Sequence, residues 1–131
     1  MINLDKKTVL LLHDMVIKEN GGRAGVRDMD LLDSAVSCIY QTIGGVELFP
    51  SIEEKAARLG YGLISNHAFV DGNKRTGVLA MLTLLKTNNI IIKKSDEDLI
   101  KIGFGVANLS LSYKDIINWI NNNKKCDLVK S

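Results

Sequence analysis

The stretch His67-Ala68-Phe69-Val70-Asp71-Gly72-Asn73-Lys74-Arg75-Thr76, running on through Gly77-Val78-Leu79-Ala80-Met81-Leu82-Thr83-Leu84-Leu85, decides both the fold and the place of its chemistry. Val78 to Leu85 is apolar on nearly every side, which suits a helix surrounded by protein rather than one lying on a surface. Asp71-Gly72 signals a turn just before it. Lys74 and Arg75 therefore fall in the first turn of the expected central helix. That end carries the positive pole of the macrodipole and unpaired backbone N–H groups. Cations there are unfavourable by roughly 0.3–1 kcal/mol each, so an anion is expected nearby, and phosphate is the natural candidate.

Working outward, five further helices are expected around this one. Asp5 or Thr8 starts the first, with Val9, Leu12 and Val16 on one face and a stop at Asn20-Gly21-Gly22. After a glycine-rich connection with Arg23 and Arg27, Asp28 or Asp30 caps a second, whose apolar set is Leu31, Leu32, Ala35, Val36, Ile39 and Ile43. Gly44 to Pro50 breaks it and reads as a short extended stretch or small hairpin. Ser51 and Glu54 have capping-box spacing and open a third helix to about Asn66, with Ile52, Ala56, Leu59 and Leu63 inward. Past the central helix, Ile90-Ile91-Ile92 reads as a buried connection without a strand partner. Ser95 caps a fifth helix carrying Leu99, Ile102, Val106 and Leu109. Ser112 caps a sixth, with Ile116, Trp119 and Ile120 inward, and the polar tail from about residues 121–122 is expected to fray. The fold class is all-α: one domain over residues 1–131, about six helices around a central apolar helix.

The whole-chain properties agree with this and exclude several functions. A chain of 131 residues can bury a core without staples. With 46% hydrophobic and 24% charged residues it is ordinary globular protein. A net charge of +2 and scattered basic residues give no stripe for direct nucleic-acid binding. Cys38 and Cys126 lack metal-ligand spacing and read as free thiols. The start of the chain does not read as a signal peptide, and no apolar run is long enough for a bilayer. A cytoplasmic protein with no membrane association is expected.

Base, metal ligand and anion cradle fall within nine residues. His67 suits proton transfer near neutrality. Asp71 is a hard oxygen ligand for a Mg²⁺ that rides on phosphates. Gly72 and Asn73 stand where a side-chain amide and free N–H groups meet phosphate oxygens, and Lys74 and Arg75 add charge, the latter with a fork that matches phosphate. Together they form a kit for phosphoryl or nucleotidyl transfer. Taken singly, each residue has a plainer reading: a hydrogen-bonded histidine, a turn, a solvated pair of cations, and Phe69 as a core anchor pinning the loop. This is not a Walker A loop, since Val78 stands where that motif needs Lys.

His67-x-Phe69-x-Asp71-Gly72-Asn73-x-Arg75 resembles the signature of the Fic fold, and the form with Lys74 and Thr76 resembles the Doc (death-on-curing) branch of the Fic/Doc family. The likeness extends from His13-Asp14 and Gly21-Gly22 through Lys55-Ala56-Ala57 to Val106-Ala107 and Trp119. The resemblance implies that His67 deprotonates a hydroxyl on a target protein, that Asp71 binds Mg²⁺ on ATP phosphates, and that Gly72, Asn73, Lys74 and Arg75 hold those phosphates. It also implies that Gly45, Val46, Glu47 and Leu48 belong to a flap that docks the target backbone by β-augmentation.

Two departures from the adenylyltransferases of the fold matter. They carry Gly where this chain has Lys74 and a second Arg where it has Val78, whereas Doc-type proteins are similar to this chain in both. The resemblance then implies a reversed nucleotide presenting its γ-phosphate, a Ser/Thr protein kinase acting on translation elongation factor Tu, and a toxin role. No inhibitory Ser/Thr-x-x-x-Glu-Gly/Asn pattern is present, since Met15 stands where Glu19-Asn20 would need Ser or Thr. Restraint is therefore expected from a partner antitoxin whose disordered C-terminal tail folds into a groove near the site, with Arg23, Arg27 and Arg58 as contacts or simply as solvated surface. Fic-type adenylylation and a non-catalytic partner-binding module are the competing functions.

Overall fold

The computed structural model describes residues 1–125, and it is a helical bundle with one small hairpin. The order is α1 (Lys6–Asn20), α2 (Met29–Ser37), a 3-10 turn (Cys38–Tyr40), β1 (Thr42–Ile43), β2 (Val46–Glu47), α3 (Ile52–Asn66), α4 (Asn73–Thr87), α5 (Asp96–Ala107) and α6 (Tyr113–Asn123). Cys126 and the end of the tail lie outside the described residues. No helix among those described is long and apolar enough to cross a membrane.

Side-chain caps set most of the boundaries. Asp5 accepts from Thr8 N–H and Asp28 from Leu31 N–H, while Ser51, Ser95 and Ser112 form capping boxes with Glu54, Asp98 and Asp115. Such caps contribute about 0.5–2 kcal/mol each. Among the described α-helices α4 is the exception: its N-cap is Gly72, in the left-handed conformation, with no side-chain hydrogen bond.

The core lies between α3 and α4. Leu59, Leu63 and Ile64 of α3 and Ala80, Met81, Leu84 and Leu85 of α4 are buried. The two helices approach closely through paired glycines. A Cβ on Gly77 would fall 2.6 Å from Ile64 Cγ1, and one on Gly60 would fall 3.3 Å from the Gly77 carbonyl. The expected enclosure of α4 holds: no residue from Val78 to Leu85 is exposed, and α1 and α5 also pack against it. Val78, Leu79 and Leu82 line an open groove of about 510 Å³ between α1 and α5.

Several boundaries differ from expectation. Ile43 is not helical: α2 ends at Ser37, and Ile43 is exposed in β1. Leu109 lies beyond α5, exposed and left-handed (φ 68°). Ile92 is buried as expected, but it does have a partner, an antiparallel bridge to Lys124. The chain does not fray at residue 121: α6 runs to Asn123, Lys93 N–H donates to Asn123 O, and Lys125 N–H donates to Ile91 O. Lys124 also pairs with Glu53 at 2.9 Å.

Candidate active site

The site is the loop between α3 and α4, and its shape comes from a second loop laid against it. Asn66 ends α3, and His67 turns the chain in the left-handed conformation (φ 51°) that non-glycine residues seldom adopt. Arg27 makes that turn possible, donating from Nε to the His67 carbonyl (2.7 Å) and from Nη2 to that of Asn66 (3.1 Å). Both are carbonyls that a helix end leaves without partners. The His67 residue is exposed.

Next, the Ala68 carbonyl accepts from the N–H groups of Arg27 and Asp28, and Val70 N–H donates to Gly25 O, around a bridge between Val26 and Phe69. Phe69 is buried. Its ring stacks on His13 at 3.8 Å between centroids and 6° between planes. Its backbone is bracketed by Asn73, whose Oδ1 accepts from Phe69 N–H and whose Nδ2 donates to Phe69 O, both at 3.0 Å. Phe69 is therefore held from both sides, by ring and by backbone.

Asp71 is exposed, yet its carboxylate is fixed. Oδ2 accepts from Arg23 N–H (3.1 Å) and Oδ1 from Gly72 N–H (2.9 Å). These two amides, Arg23 first, hold its pKa below the ordinary carboxylate value, and the charges of Lys74 and Arg23 add to the effect. The fit of Gly22 against it is tight, since a Cβ there would come within 2.7 Å of Asp71 Oδ2. Among the described residues no group of three or more His, Cys, Asp or Glu gathers to hold a metal. A hard cation on this ionised carboxylate would therefore draw its other ligands from phosphate oxygens and water, which is how Mg²⁺ binds nucleotides.

At the start of α4 the first helical N–H with an internal partner is that of Thr76, bonded to Gly72 O. The amides of Asn73, Lys74 and Arg75 precede it, and no side chain caps them. They are the amides that the sequence marks as a candidate anion cradle. The side chains around them are arranged differently from expectation in two respects. Asn73 has its whole amide committed to Phe69, because the loop is short enough for residue 73 to reach back to residue 69. Gly72 has given its N–H to Asp71. Neither group is free for phosphate, although the Asn73 backbone N–H remains.

Lys74 and Arg75 lean into the groove. Lys74 Nζ sits over the Phe104 ring, and Arg75 Nη1 donates to Asn20 Oδ1 at 2.7 Å. Arg27 serves the loop, and Arg58 packs against Phe49 and Tyr61 and donates to Cys38 Sγ. Both therefore have partners within the fold. Arg23 contributes its backbone to Asp71.

The stretch expected to serve as a flap forms a hairpin. Thr42 pairs with Glu47 and Ile43 with Val46, across Gly44 and Gly45, both left-handed (φ 57° and 81°), the conformation that two-residue hairpin turns require. Leu48 N–H extends the ladder to Gln41 O. Val46 and Ile43 are each 69% exposed, so the ribbon offers an unpaired edge and an apolar tip. The sequence reading missed what holds it. Lys55, one of the most deeply buried side chains, donates to Glu47 Oε1 (2.8 Å) and to the Phe49 carbonyl. It also missed His13, whose signal was a lone polar residue on the apolar stripe Val9-Leu12-Val16.

The comparisons agree with this geometry. The model of the Fic/DOC family matches residues 3–85, which takes in α1 through most of α4 and the whole loop. Toxin Doc of Mycolicibacterium smegmatis is 42% identical over 87 residues, covering 66% of this chain and 65% of that protein. The chain thus spans about 65% of the curated relative it matches. On the fold, the motif and these matches, the chain belongs to the Fic/DOC family, in its Doc branch.

Proposed function

We propose that this protein is the toxin of a toxin–antitoxin pair, a Doc-like protein kinase that transfers the γ-phosphate of ATP to a Ser or Thr hydroxyl of translation elongation factor Tu in the cytoplasm and so arrests translation. The observation that carries the reading is Lys74. A long cation stands directly after Asn73, where the adenylyltransferases of the fold have Gly, and Val78 stands where they have a second Arg. Similarity to Toxin Doc supports the same side of the family.

In this reading the exposed His67 imidazole takes the proton of the target hydroxyl. The oxygen attacks the γ-phosphorus, the bond to the β–γ bridging oxygen breaks, ADP leaves, and the proton passes from His67 to solvent. The amides of Asn73, Lys74 and Arg75 and the two cations hold phosphate oxygens as charge moves. Mg²⁺ on Asp71 neutralises phosphate charge when bound. The free edge of the hairpin pairs with the target backbone, bringing its hydroxyl to His67.

The antitoxin tail is assigned to the groove between α1, α4 and α5. Val78, Leu79, Leu82 and Phe104 line it, together with Lys74 and Arg75 from the first turn of α4 and the carboxylates Glu19 and Asp96. An amphipathic helix carrying a carboxylate opposite those cations fits both features.

Purified protein with elongation factor Tu, Mg²⁺ and ATP labelled at either the γ or the α position tests the reading. Label from the γ position alone is expected. Label from the α position alone replaces it with adenylylation. Toxicity that survives in His67→Ala, with no transfer of either label, replaces it with a binding module.

A further inference from the structure

His13 is buried under the loop although nothing in the proposed chemistry uses it. Its Nε2 lies 2.8 Å from the Asp71 carbonyl oxygen. A carbonyl can only accept, so Nε2 carries the hydrogen and the imidazole donates. The ring also stacks on Phe69 at 3.8 Å. Gly72 completes the enclosure, since a Cβ there would come within 3.6 Å of Nε2 and 3.3 Å of Ile17 Cδ1. One side chain of α1 therefore grips two residues of the loop, Phe69 through its ring face and Asp71 through its edge. The Asp71 carbonyl and carboxylate hang from the same Cα. Once the Phe69 backbone is clamped by Asn73, the direction of the Asp71 carbonyl fixes the remaining freedom of the Asp71 backbone. In that orientation the Asp71 carboxylate accepts from both the Arg23 and Gly72 amides.

We infer that His13 is a positioning residue for the metal–nucleotide site, setting the aim of the Asp71 carboxylate through the Asp71 carbonyl. The inference rests on the reading of Asp71 as the Mg²⁺ ligand. The role is geometric: a donor of fixed height and direction on a rigid helix. A hydrogen-bonding partner one step removed from a metal ligand typically changes metal affinity about 10- to 100-fold when lost.

Two variants separate the two grips. His13→Phe keeps a ring to stack on Phe69 and removes the donor. His13→Gln keeps an N–H within reach and removes the ring. Binding of a non-hydrolysable ATP analogue is measured with and without Mn²⁺, following the bound metal by electron paramagnetic resonance, alongside thermal unfolding. For His13→Phe the expected result is affinity for the Mn²⁺ complex weakened about tenfold, with affinity for the metal-free analogue unchanged. His13→Gln is expected to bind the Mn²⁺ complex as wild type does, with a lowered Tm from the lost stack. Wild-type affinity of His13→Phe for the Mn²⁺ complex overturns the inference, as does equal loss with and without metal, which would mark a purely structural residue. If His13→Phe does not fold, His13→Gln decides alone: folded protein with weakened Mn²⁺ binding overturns the inference, and retained binding supports it. Wild-type protein that fails to bind the Mn²⁺ complex removes the metal-site reading itself, before any variant is considered.

Discussion

Lys74 Nζ lies 5.1 Å from the centroid of the Phe104 ring, and the base of its stem crosses Gly103, where an added Cβ would fall 3.2 Å from Lys74 Cβ. The course of the residue on which the proposed kinase reading rests is thus set by α5, outside the loop motif. A cation over an aromatic face at a partly exposed site is worth about 0.5–1 kcal/mol. Lys74→Ala is expected to raise the KM for ATP roughly tenfold or more, the cost of a lost charged hydrogen bond. Phe104→Leu should raise it by a few-fold only. Steady-state kinetics of γ-phosphate transfer checks both, and an unchanged KM in Lys74→Ala removes Lys74 from the phosphate site.

His67 is exposed, and the hydrogen bonds at its turn go to its backbone carbonyl rather than its ring. His67→Ala should therefore lower kcat by about 10²–10⁴, the usual contribution of a general base, while leaving the Tm nearly unchanged. A fall in Tm matching the fall in activity would make His67 a structural residue.

Asp71 is held below the ordinary carboxylate pKa of 3.8 by the Arg23 and Gly72 amides. A group depressed on folding stabilises fully above its unfolded pKa, and that stabilisation is lost as pH falls through the lowered folded value. Asp71→Asn should accordingly melt below wild type at neutral pH, and the gap should close as the pH drops well under 3.8. Melting curves that stay parallel across this range contradict the assignment.

Gly77 faces Ile64 at a separation that leaves no room for a methyl group. Gly77→Ala is expected to destabilise by about 1–3 kcal/mol despite its better helix propensity, because overpacking outweighs the gain. Denaturant unfolding measures it, and a stabilised variant would show that α3 and α4 can separate.

Lys55 ties the hairpin to α3 through Glu47 and Phe49. Lys55→Met keeps the volume and leaves the Phe49 carbonyl without this donor, at about 1–3 kcal/mol. The loosened hairpin should raise the KM for the protein target while leaving the KM for ATP alone. An equal rise in both means that Lys55 supports the whole bundle rather than the flap.

The helix starts were legible because capping is local: Ser51 with Glu54, Ser95 and Ser112 announce themselves within a single turn. So was the loop motif, whose residues lie within a few positions of one another. What stayed hidden depends on partners far along the chain. His13 meets Asp71 across 58 residues. Ile92 found its partner in Lys124, and with it a reason for the chain to stay ordered past residue 121. Nothing in Glu54-Lys55-Ala56 announces a buried lysine, whose partners Glu47 and Phe49 belong to the hairpin segment. Asn73 sat in the right place but had its amide drawn inward, a competition between loop and ligand that residue spacing does not reveal.

Every described α-helix but one is capped at its N-terminus by a side chain of its own chain; α4 is left incomplete. An anion seated on the three free amides would act as the missing cap, so that occupancy and folding become one equilibrium. A ligand that binds only the native state at a hundred times its Kd adds about 2.7 kcal/mol to stability. In the function proposed above, the nucleotide would then be a structural component of the protein as well as its substrate, and the ATP level would help to decide how long each molecule survives.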